Sequence, residues 1–222
     1  MPYSKLSDII SNYITLEPQD TDLLKSLFNY ESASKGTFLI KIGKQTDKVF
    51  FILSGYLRYF KIIDSGEELV IHLYAPNNFA TSLNSFFMEK KSEEALQTIT
   101  DCEFLSISKA DLEKLYATNC KWQNFGRKLM ETFLIEKEQR IIDQLSLTAY
   151  EKYLKLIKNH PDIIQNITIK YIASFIGIQP ESLSRIRKAV MRDSIVRTSS
   201  DLPNHHSNTS ERKKTKFGKI EC

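Results

Sequence analysis

Hydrophobic residues in the first thirty positions recur at the three- and four-residue spacing of a helix. The residues that share the first such face are Leu6, Ile9, Ile10, Tyr13 and Ile14. Asp20-Thr21-Asp22 is expected to cap a second helix, because short acidic and hydroxyl side chains satisfy free backbone N–H groups. The pattern therefore predicts two N-terminal helices.

From residue 36 the chain changes to short runs rich in β-branched and aromatic residues, separated by Gly36, Gly43, Gly55 and Gly66. The predicted strands cover residues 37–40, 49–53, 69–74, 94–99 and 103–108. Short strands with turn signals roughly every ten residues indicate an all-β sandwich or barrel.

Residues 122–147 contain no proline and a single glycine, Gly126. They predict one helix about 39 Å long at 1.5 Å per residue. Its apolar positions form two stripes, so that one can cover the barrel while the other meets a second copy in a symmetric dimer. The residues assigned to this dimer helix are Phe125, Leu129, Met130, Phe133, Leu134 and Ile141.

A further helix is predicted over residues 149–159, stopped by His160-Pro161, and residues 167–190 then read as two short helices with a turn. Thr168 suits the first N-cap, Gly177 suits the left-handed turn and Pro180 suits a first helical position. The side chains expected to face inward are Ile172, Phe175, Ile176, Leu183, Ile186 and Val190. This is the plan of a helix-turn-helix that offers its second helix to a DNA major groove.

Two amphipathic helices joined by a glycine also occur in all-helical domains that do not bind nucleic acid. The distribution of charge along the chain favours DNA binding. Residues 167–190 carry four basic side chains and one acid, and residues 191–222 carry seven and four. Since the whole chain has a net charge of +4, residues 1–166 are mildly acidic. A basic last quarter is what a nucleic-acid contact at one end requires.

Catalytic and metal chemistry is disfavoured. His72 is the only histidine before His160, whereas a metal site in a barrel needs several convergent ligands. The chain shows no glycine-rich phosphate loop and no nucleophile elbow, so we expect no enzyme activity, metal or cofactor. Three scattered cysteines, Cys102, Cys120 and Cys222, and no run of membrane-spanning length predict a cytoplasmic protein. Cys102 and Cys120 are expected to pack as small apolar residues.

The order of barrel, long helix and helix-turn-helix resembles the Crp/Fnr family of bacterial transcription regulators. The resemblance covers about residues 20–190 and rests on the glycine-bounded segments 35–43 and 49–58, on Ile172-Ala173, on Gly177 and on segment 181–185. It implies an α+β chain with an N-terminal double-stranded β-helix (a jelly-roll, cyclic nucleotide-binding-like barrel), a long dimerisation helix and a C-terminal helix-turn-helix. The expected domains are 1–120 for the sensor barrel, 121–147 for the dimerisation helix, 148–196 for the DNA-binding domain and 197–222 for a polar, basic and disordered tail.

The resemblance also implies site residues. The base-reading positions fall on Pro180, Glu181 and Arg185. The phosphate-contacting positions fall on Thr168, Lys170, Gln179 and Ser182, to which the outward-facing Lys188 is added. Pro180 replaces an arginine that some members carry, so the operator should differ from theirs. The implied partners are double-stranded DNA, a second copy and RNA polymerase.

The effector pocket departs from the family pattern. Cyclic-nucleotide-binding members supply a Gly-Glu pair and then an arginine for the cyclic phosphate. Here Thr81-Ser82, followed by Leu83, stand at the pair and Ser92 stands at the arginine. A buried phosphate without that arginine would be poorly compensated. We therefore expect an unidentified small-molecule effector at Thr81, Ser82, Leu83 and Ser92 rather than a cyclic nucleotide.

One alternative stays open at this point. The barrel could be a small-ligand-binding or protein-docking module whose specific DNA binding has weakened or been lost. The tail gives this alternative some support, because residues 197–222 show no clear strand pair for a β-hairpin wing.

Overall fold

The computed structural model describes residues 2–200, with side chains described through Asp193. The chain divides into two compact units, Met1–Ile186 and Arg187–Cys222. The helices are α1 (Pro2–Ile10), α2 (Pro18–Leu27), α3 (Leu83–Met88), α4 (Lys109–Thr118), α5 (Cys120–Ser146), α6 (Ala149–Asn159), α7 (Pro161–Asn166), α8 (Ile169–Ile176) and α9 (Pro180–Ser200). The strands are β1 (Asn29–Ala33), β2 (Phe38–Ile40), β3 (Lys48–Ser54), β4 (Leu57–Ile62), β5 (Glu68–Tyr74), β6 (Phe79–Ala80), β7 (Glu94–Thr98) and β8 (Cys102–Ser108).

The strands form two four-stranded antiparallel sheets. One has the order β1-β8-β3-β6 and the other β2-β7-β4-β5. Gly55 makes the turn between β3 and β4 with φ +86°, and a Cβ atom there would lie 2.3 Å from the carbonyl oxygen of Asp101. Only glycine fits this close approach of two backbones.

The apolar core lies in two layers that share β3. Phe50 and Ile52 pack between the sheets, whereas Phe51 and Leu53 point to the other face, where α1, α2, α4 and α5 cover the sheet. Both faces of this strand are therefore buried, which explains why its sequence is a continuous hydrophobic run rather than an alternating one. Trp122 of α5 is fully buried in the helical layer and fixes α5 against the barrel.

The long helix lies close to its predicted place. α5 covers Cys120–Ser146, compared with the predicted 122–147, and α6 has the predicted bounds. Asn119 starts α5 by accepting a hydrogen bond from the backbone N–H of Lys121 at 3.0 Å. After α6, Pro161 opens the short helix α7 instead of only ending its neighbour, because proline fits a first helical position.

Three local predictions are wrong. α1 ends at Ile10, although Tyr13 and Ile14 still pack on the same core. α2 begins two residues before Asp20, whose carboxylate instead accepts a hydrogen bond from the N–H of Glu17 at 2.6 Å. Cys102 is buried as expected, but Cys120, the first residue of α5, is exposed.

α9 continues to Ser200, beyond residue 196, where the ordered part was predicted to end. Neither proline nor glycine occurs between residues 181 and 200, so nothing in the local sequence stops the helix. Residues 201–222 of the predicted disordered tail lie outside the described residues.

Candidate nucleic-acid interface

The helix-turn-helix is built from α8, a tight turn and the beginning of α9. Gly177 ends α8 in the left-handed conformation, with φ +89°. Its N–H donates to the carbonyl of Ser174 at 3.2 Å, and the N–H of Ile178 donates to the carbonyl of Ala173 at 3.0 Å. These two bonds form the Schellman arrangement, which reverses the chain within three residues. Pro180 then begins α9.

The inner faces of the two helices pack only partly as the sequence predicted, since Ile186 and Val190 are half-buried. Ile172, Ile176 and Leu183 are buried, and Ala173 has no exposed surface. The small alanine side chain lets the two helices approach closely. Phe175 was predicted to join this core, but it is only half-buried and contacts α5 instead, as described below.

The predicted base-reading residues lie at the start of α9. Glu181 and Arg185 are exposed, and Pro180 is half-buried. The Arg185 guanidinium forms no ion pair or side-chain hydrogen bond with any residue of the described part of the chain. Arginine can donate two parallel hydrogen bonds to a guanine edge, and nothing among the described residues competes for those donors.

The predicted phosphate-contacting residues are all on the surface. Thr168, Lys170, Gln179 and Ser182 are exposed. Thr168 is the N-cap of α8, but its side chain makes no capping hydrogen bond, contrary to expectation. Within the second unit, Lys188 is exposed as well.

The helix-turn-helix also contacts the barrel through α8. The Ser174 hydroxyl donates to the carbonyl of Glu68 at 3.0 Å and accepts from the N–H of Val70 at 2.9 Å. β5 is the edge strand of its sheet, so these backbone groups have no neighbouring strand. One serine therefore takes the place of a paired strand and attaches α8 to the barrel.

A buried arginine supports the same contact. The Arg58 guanidinium donates to both carboxylate oxygens of Glu68, at 2.6 and 3.0 Å, and to Gln97. It also lies 4.4 Å from the ring centre of Tyr171 in α8. The hydrogen bonds from Arg58 hold the pKa of the Glu68 carboxyl below its usual value despite partial burial. No sequence signal marked Arg58 or Ser174, because both act between segments far apart in the chain.

Phe175 connects α8 with α5. The Arg140 guanidinium lies 3.6 Å from the centre of the Phe175 ring and donates to the Phe175 carbonyl at 3.3 Å. The ring of His72 in β5 lies 6.5 Å from the same phenylalanine. This contact explains why Phe175 leaves the helix-turn-helix core.

The predicted effector residues divide into two groups. The hydroxyl oxygens of Ser82 and Ser92 are buried and lie 3.0 Å apart. Beside them, the Tyr59 hydroxyl donates to the Glu94 carboxylate at 2.9 Å, and burial raises the pKa of Tyr59. Thr81 and Leu83 lie elsewhere, in the wall of a groove between α3 and α5.

The two apolar stripes of α5 have different surroundings. Phe125 and Leu129 pack on the core between α5 and the barrel, and Phe133 is half-buried. Met130, Leu134 and Ile141 remain 37%, 69% and 60% exposed. The exposed band also contains Ile135, Ile142 and Leu145.

Comparisons with known proteins connect this architecture to characterised regulators. Residues 30–119 match the model of the cyclic nucleotide-binding domain. The Anaerobic regulatory protein of Bacillus subtilis (strain 168) is 24% identical over 194 residues, which are 79% of this chain and 82% of the relative. The Transcriptional activator protein Anr of Pseudomonas protegens is 28% identical over 142 residues, which are 63% of this chain and 54% of the relative. The chain is therefore similar to regulators of the Crp/Fnr family over most of its length.

The fold agrees with this similarity. The structure of FixK2 from Bradyrhizobium japonicum has a TM-score of 0.65 at 14% identity and covers 76% of this chain and 87% of FixK2. The predicted resemblance and the predicted fold class are therefore confirmed. The Crp/Fnr relatives named above are regulators rather than enzymes.

In the described part of the chain, no helix has the length and apolar character needed to cross a membrane.

Proposed function

We propose that the chain is a sequence-specific DNA-binding transcription regulator that reads a palindromic operator as a homodimer. The observation that carries this proposal lies in the first two turns of α9, where Arg185 is exposed and has no partner among the described side chains. Leu183, on the opposite side of the helix, is fully buried and holds these turns in place. Arg185 would read a guanine, while Glu181 would accept from a cytosine amine or orient Arg185.

The predicted phosphate-contacting residues would hold α9 in a fixed position on the DNA. Lys170 lies in the first turn of α8, and Thr168 and Gln179 lie just before the starts of the two helices. Contacts of this kind fix position and orientation without reading sequence. RNA polymerase as a partner and the cytoplasm as location remain predictions from the sequence and the family.

Dimerisation would follow from the exposed band of α5. Leu134, Ile141 and Leu145 expose 69%, 60% and 84% of their surface, and a twofold copy of the same helix would bury them. Large exposed apolar patches commonly mark interfaces. A symmetric pair would present its reading helices to two half-sites about 10 bp apart.

The effector of this regulator would not be a cyclic nucleotide. Ser92, at the position of the family's phosphate arginine, donates to the backbone carbonyl of Glu94 at 2.8 Å. The nearby Glu94 carboxylate would repel a cyclic phosphate, and exposed Lys90 and Lys91 are not drawn into the site. A buried phosphate needs charge-assisted donors, whereas these groups already satisfy one another.

Selection of bound duplexes from random DNA by the purified full chain tests the proposal. The expected result is an enriched motif with twofold symmetry and half-sites one helical turn apart. Enrichment of no motif, together with binding that weakens steeply as salt rises, would contradict it and support the barrel module with lost DNA specificity. The cyclic-nucleotide statement has its own test, since cAMP and cGMP should not change the melting temperature of the chain.

A further inference from the structure

A groove between α3 and α5 is lined mainly by aromatic and aliphatic side chains. Phe79 and Phe86 line one side, and Leu129 and Phe133 of α5 line the other. The cavity volume is about 170 Å³. Apolar cavities of about 150 Å³ stay dry and take up small apolar molecules such as benzene. The walls of this groove therefore suit an apolar molecule of about that size.

Among the described residues, the lining of this groove contains no buried charge. Its only formally charged side chain is the acid Glu136, which is exposed, and the cations Lys137 and Arg140 of α5 are not part of the lining. Burial lowers the pKa of His72, the one histidine of the lining, well below its usual value. His72 is therefore neutral near pH 7. A charged molecule in the groove would lose its hydration without gaining a buried counter-ion, so the lining selects an uncharged one.

One polar atom of the lining has no partner. The ring Nδ1 of His72 is buried without a hydrogen bond to any residue of the described chain. Buried polar atoms in folded proteins are nearly always hydrogen-bonded. An unpartnered nitrogen on a residue that lines a cavity therefore points to a ligand atom that supplies the missing bond.

A hydroxyl group is the partner that suits this nitrogen in either of its forms. In a neutral imidazole one ring nitrogen donates and the other accepts, and no hydrogen bond of Nδ1 fixes which role it takes. A hydroxyl can both donate and accept, so it fits either tautomer. A water molecule is a poorer occupant, because a buried water typically makes about three hydrogen bonds and the described lining offers a single buried side-chain atom without a partner.

We propose that this groove binds a small uncharged apolar molecule with one hydroxyl group, whose apolar part contacts the phenylalanines and whose hydroxyl bonds to Nδ1 of His72. Two residues that the sequence assigned to an effector pocket, Thr81 and Leu83, line this groove. The other two, Ser82 and Ser92, form a separate polar pair that already bonds within the protein.

The inference rests on the proposed function only for its consequence, since it names the chemistry of that regulator's effector. The centre of the His72 ring lies 6.5 Å from that of Phe175 in α8. A ligand bonded to His72 would therefore act beside a contact that joins the helix-turn-helix to the barrel. Ligand binding itself can be measured without DNA.

The test titrates benzyl alcohol, toluene and sodium benzoate into the full chain by calorimetry at pH 7. We expect one benzyl alcohol or one toluene to bind per protomer, and benzoate to bind at least about tenfold more weakly than benzyl alcohol. His72→Phe keeps an aromatic ring and removes the nitrogen. This variant should reduce the ratio of benzyl alcohol affinity to toluene affinity about fivefold, through the loss of one hydrogen bond.

His160→Phe is the matched control, because His160 is an exposed histidine outside the lining of the groove. This control should leave the affinity ratio unchanged. If His72→Phe does not fold, the ¹⁵N resonance of the His72 Nδ1 in the wild type decides the test, since benzyl alcohol should shift it more than toluene does.

Binding of neither uncharged probe, benzoate binding as tight as that of benzyl alcohol, an unchanged affinity ratio in His72→Phe, or an equal shift of the Nδ1 resonance with both probes would overturn the proposal. Binding by Leu134→Ala but not by the wild type would also overturn it, because a second copy would then fill the groove. A palindromic motif from DNA selection without binding of these probes would refute this inference alone, whereas binding without a motif would refute the proposed function alone.

Discussion

Replacing Leu134 with alanine should weaken the proposed dimer by an amount that the structure allows to be calculated. Burying a leucine side chain completely contributes about 1.5–3 kcal/mol. Leu134 exposes 69% of its surface, so burial against a second copy contributes roughly 1–2 kcal/mol per protomer. Twofold symmetry doubles this to about 2–4 kcal/mol per dimer, which corresponds to roughly 30- to 1,000-fold in the dissociation constant.

Sedimentation equilibrium over a range of concentrations measures that constant, and circular dichroism checks that the fold is intact. Leu154→Ala is the control, because Leu154 is a 39% exposed leucine on α6 rather than α5. Leu134→Ala should shift the equilibrium towards monomer, while Leu154→Ala should not. Equal dissociation constants for wild type and Leu134→Ala would refute the reasoning that the exposed band of α5 joins the subunits.

Three further substitutions test local features of the fold. Gly177→Ala should lower the free energy of unfolding by about 1 kcal/mol, since alanine is strained at φ +89°. In the same urea titration, Gly177→Asn should lower the free energy of unfolding by less than Gly177→Ala does. An equal loss in both variants would exclude backbone strain as the cause. Glu68→Gln should destabilise the protein by about 1 kcal/mol at pH 7. The difference in stability from wild type should shrink as the pH falls below the usual carboxyl pKa. The reason is that Arg58 lowers the pKa of Glu68, so the ionised carboxylate is the form that stabilises the fold. Glu67→Gln, which removes an exposed neighbouring charge, should show no such pH dependence, and a parallel curve would argue against the ion pair. Ser174→Ala should speed hydrogen exchange at the β5 amide that Ser174 binds and should lower stability by about 1–2 kcal/mol; unchanged exchange would contradict that contact.

The elements that sequence predicted well are those fixed by nearby residues. Gly177 is followed by Pro180 within three positions, and this combination alone specifies the end of one helix and the start of the next. The length of α5 follows from an uninterrupted run of helix-compatible residues. Such signals need no knowledge of the rest of the chain.

The features that sequence missed depend on distant partners. β1 consists of Asn29–Ala33, a mostly polar segment without a hydrophobic run, and becomes a strand because it pairs with β8. Phe175 has helical spacing with Ile172 and Ile176, yet a guanidinium from α5 places it outside their core. The helical spacing of apolar residues alone cannot show which of them contact the helix-turn-helix core and which contact α5.

The candidate site shows the same division. The resemblance located Ser82 and Ser92, and the structure brings their hydroxyls within 3.0 Å of each other. The hydrogen bonds that Tyr59 and Glu94 make with these two serines could not be predicted from the sequence. Tyr59 belongs to β4 and Glu94 to β7, and these strands meet only in the folded sheet. The docking of Ser174 on an edge strand, 104 residues away from Val70, leaves no local signal at all.

The most direct test of the central claim, that the first two turns of α9 read bases, compares Arg185→Ala with Lys170→Ala on the selected operator and on a scrambled duplex. Fluorescence anisotropy at several salt concentrations gives both affinities for each variant. Arg185→Ala should lose the preference for the operator, a discrimination of about 1–3 kcal/mol per bidentate contact. Lys170→Ala should weaken binding to both duplexes alike and reduce the salt dependence by about one phosphate contact. An Arg185→Ala variant that still prefers the operator as strongly as the wild type would contradict the account.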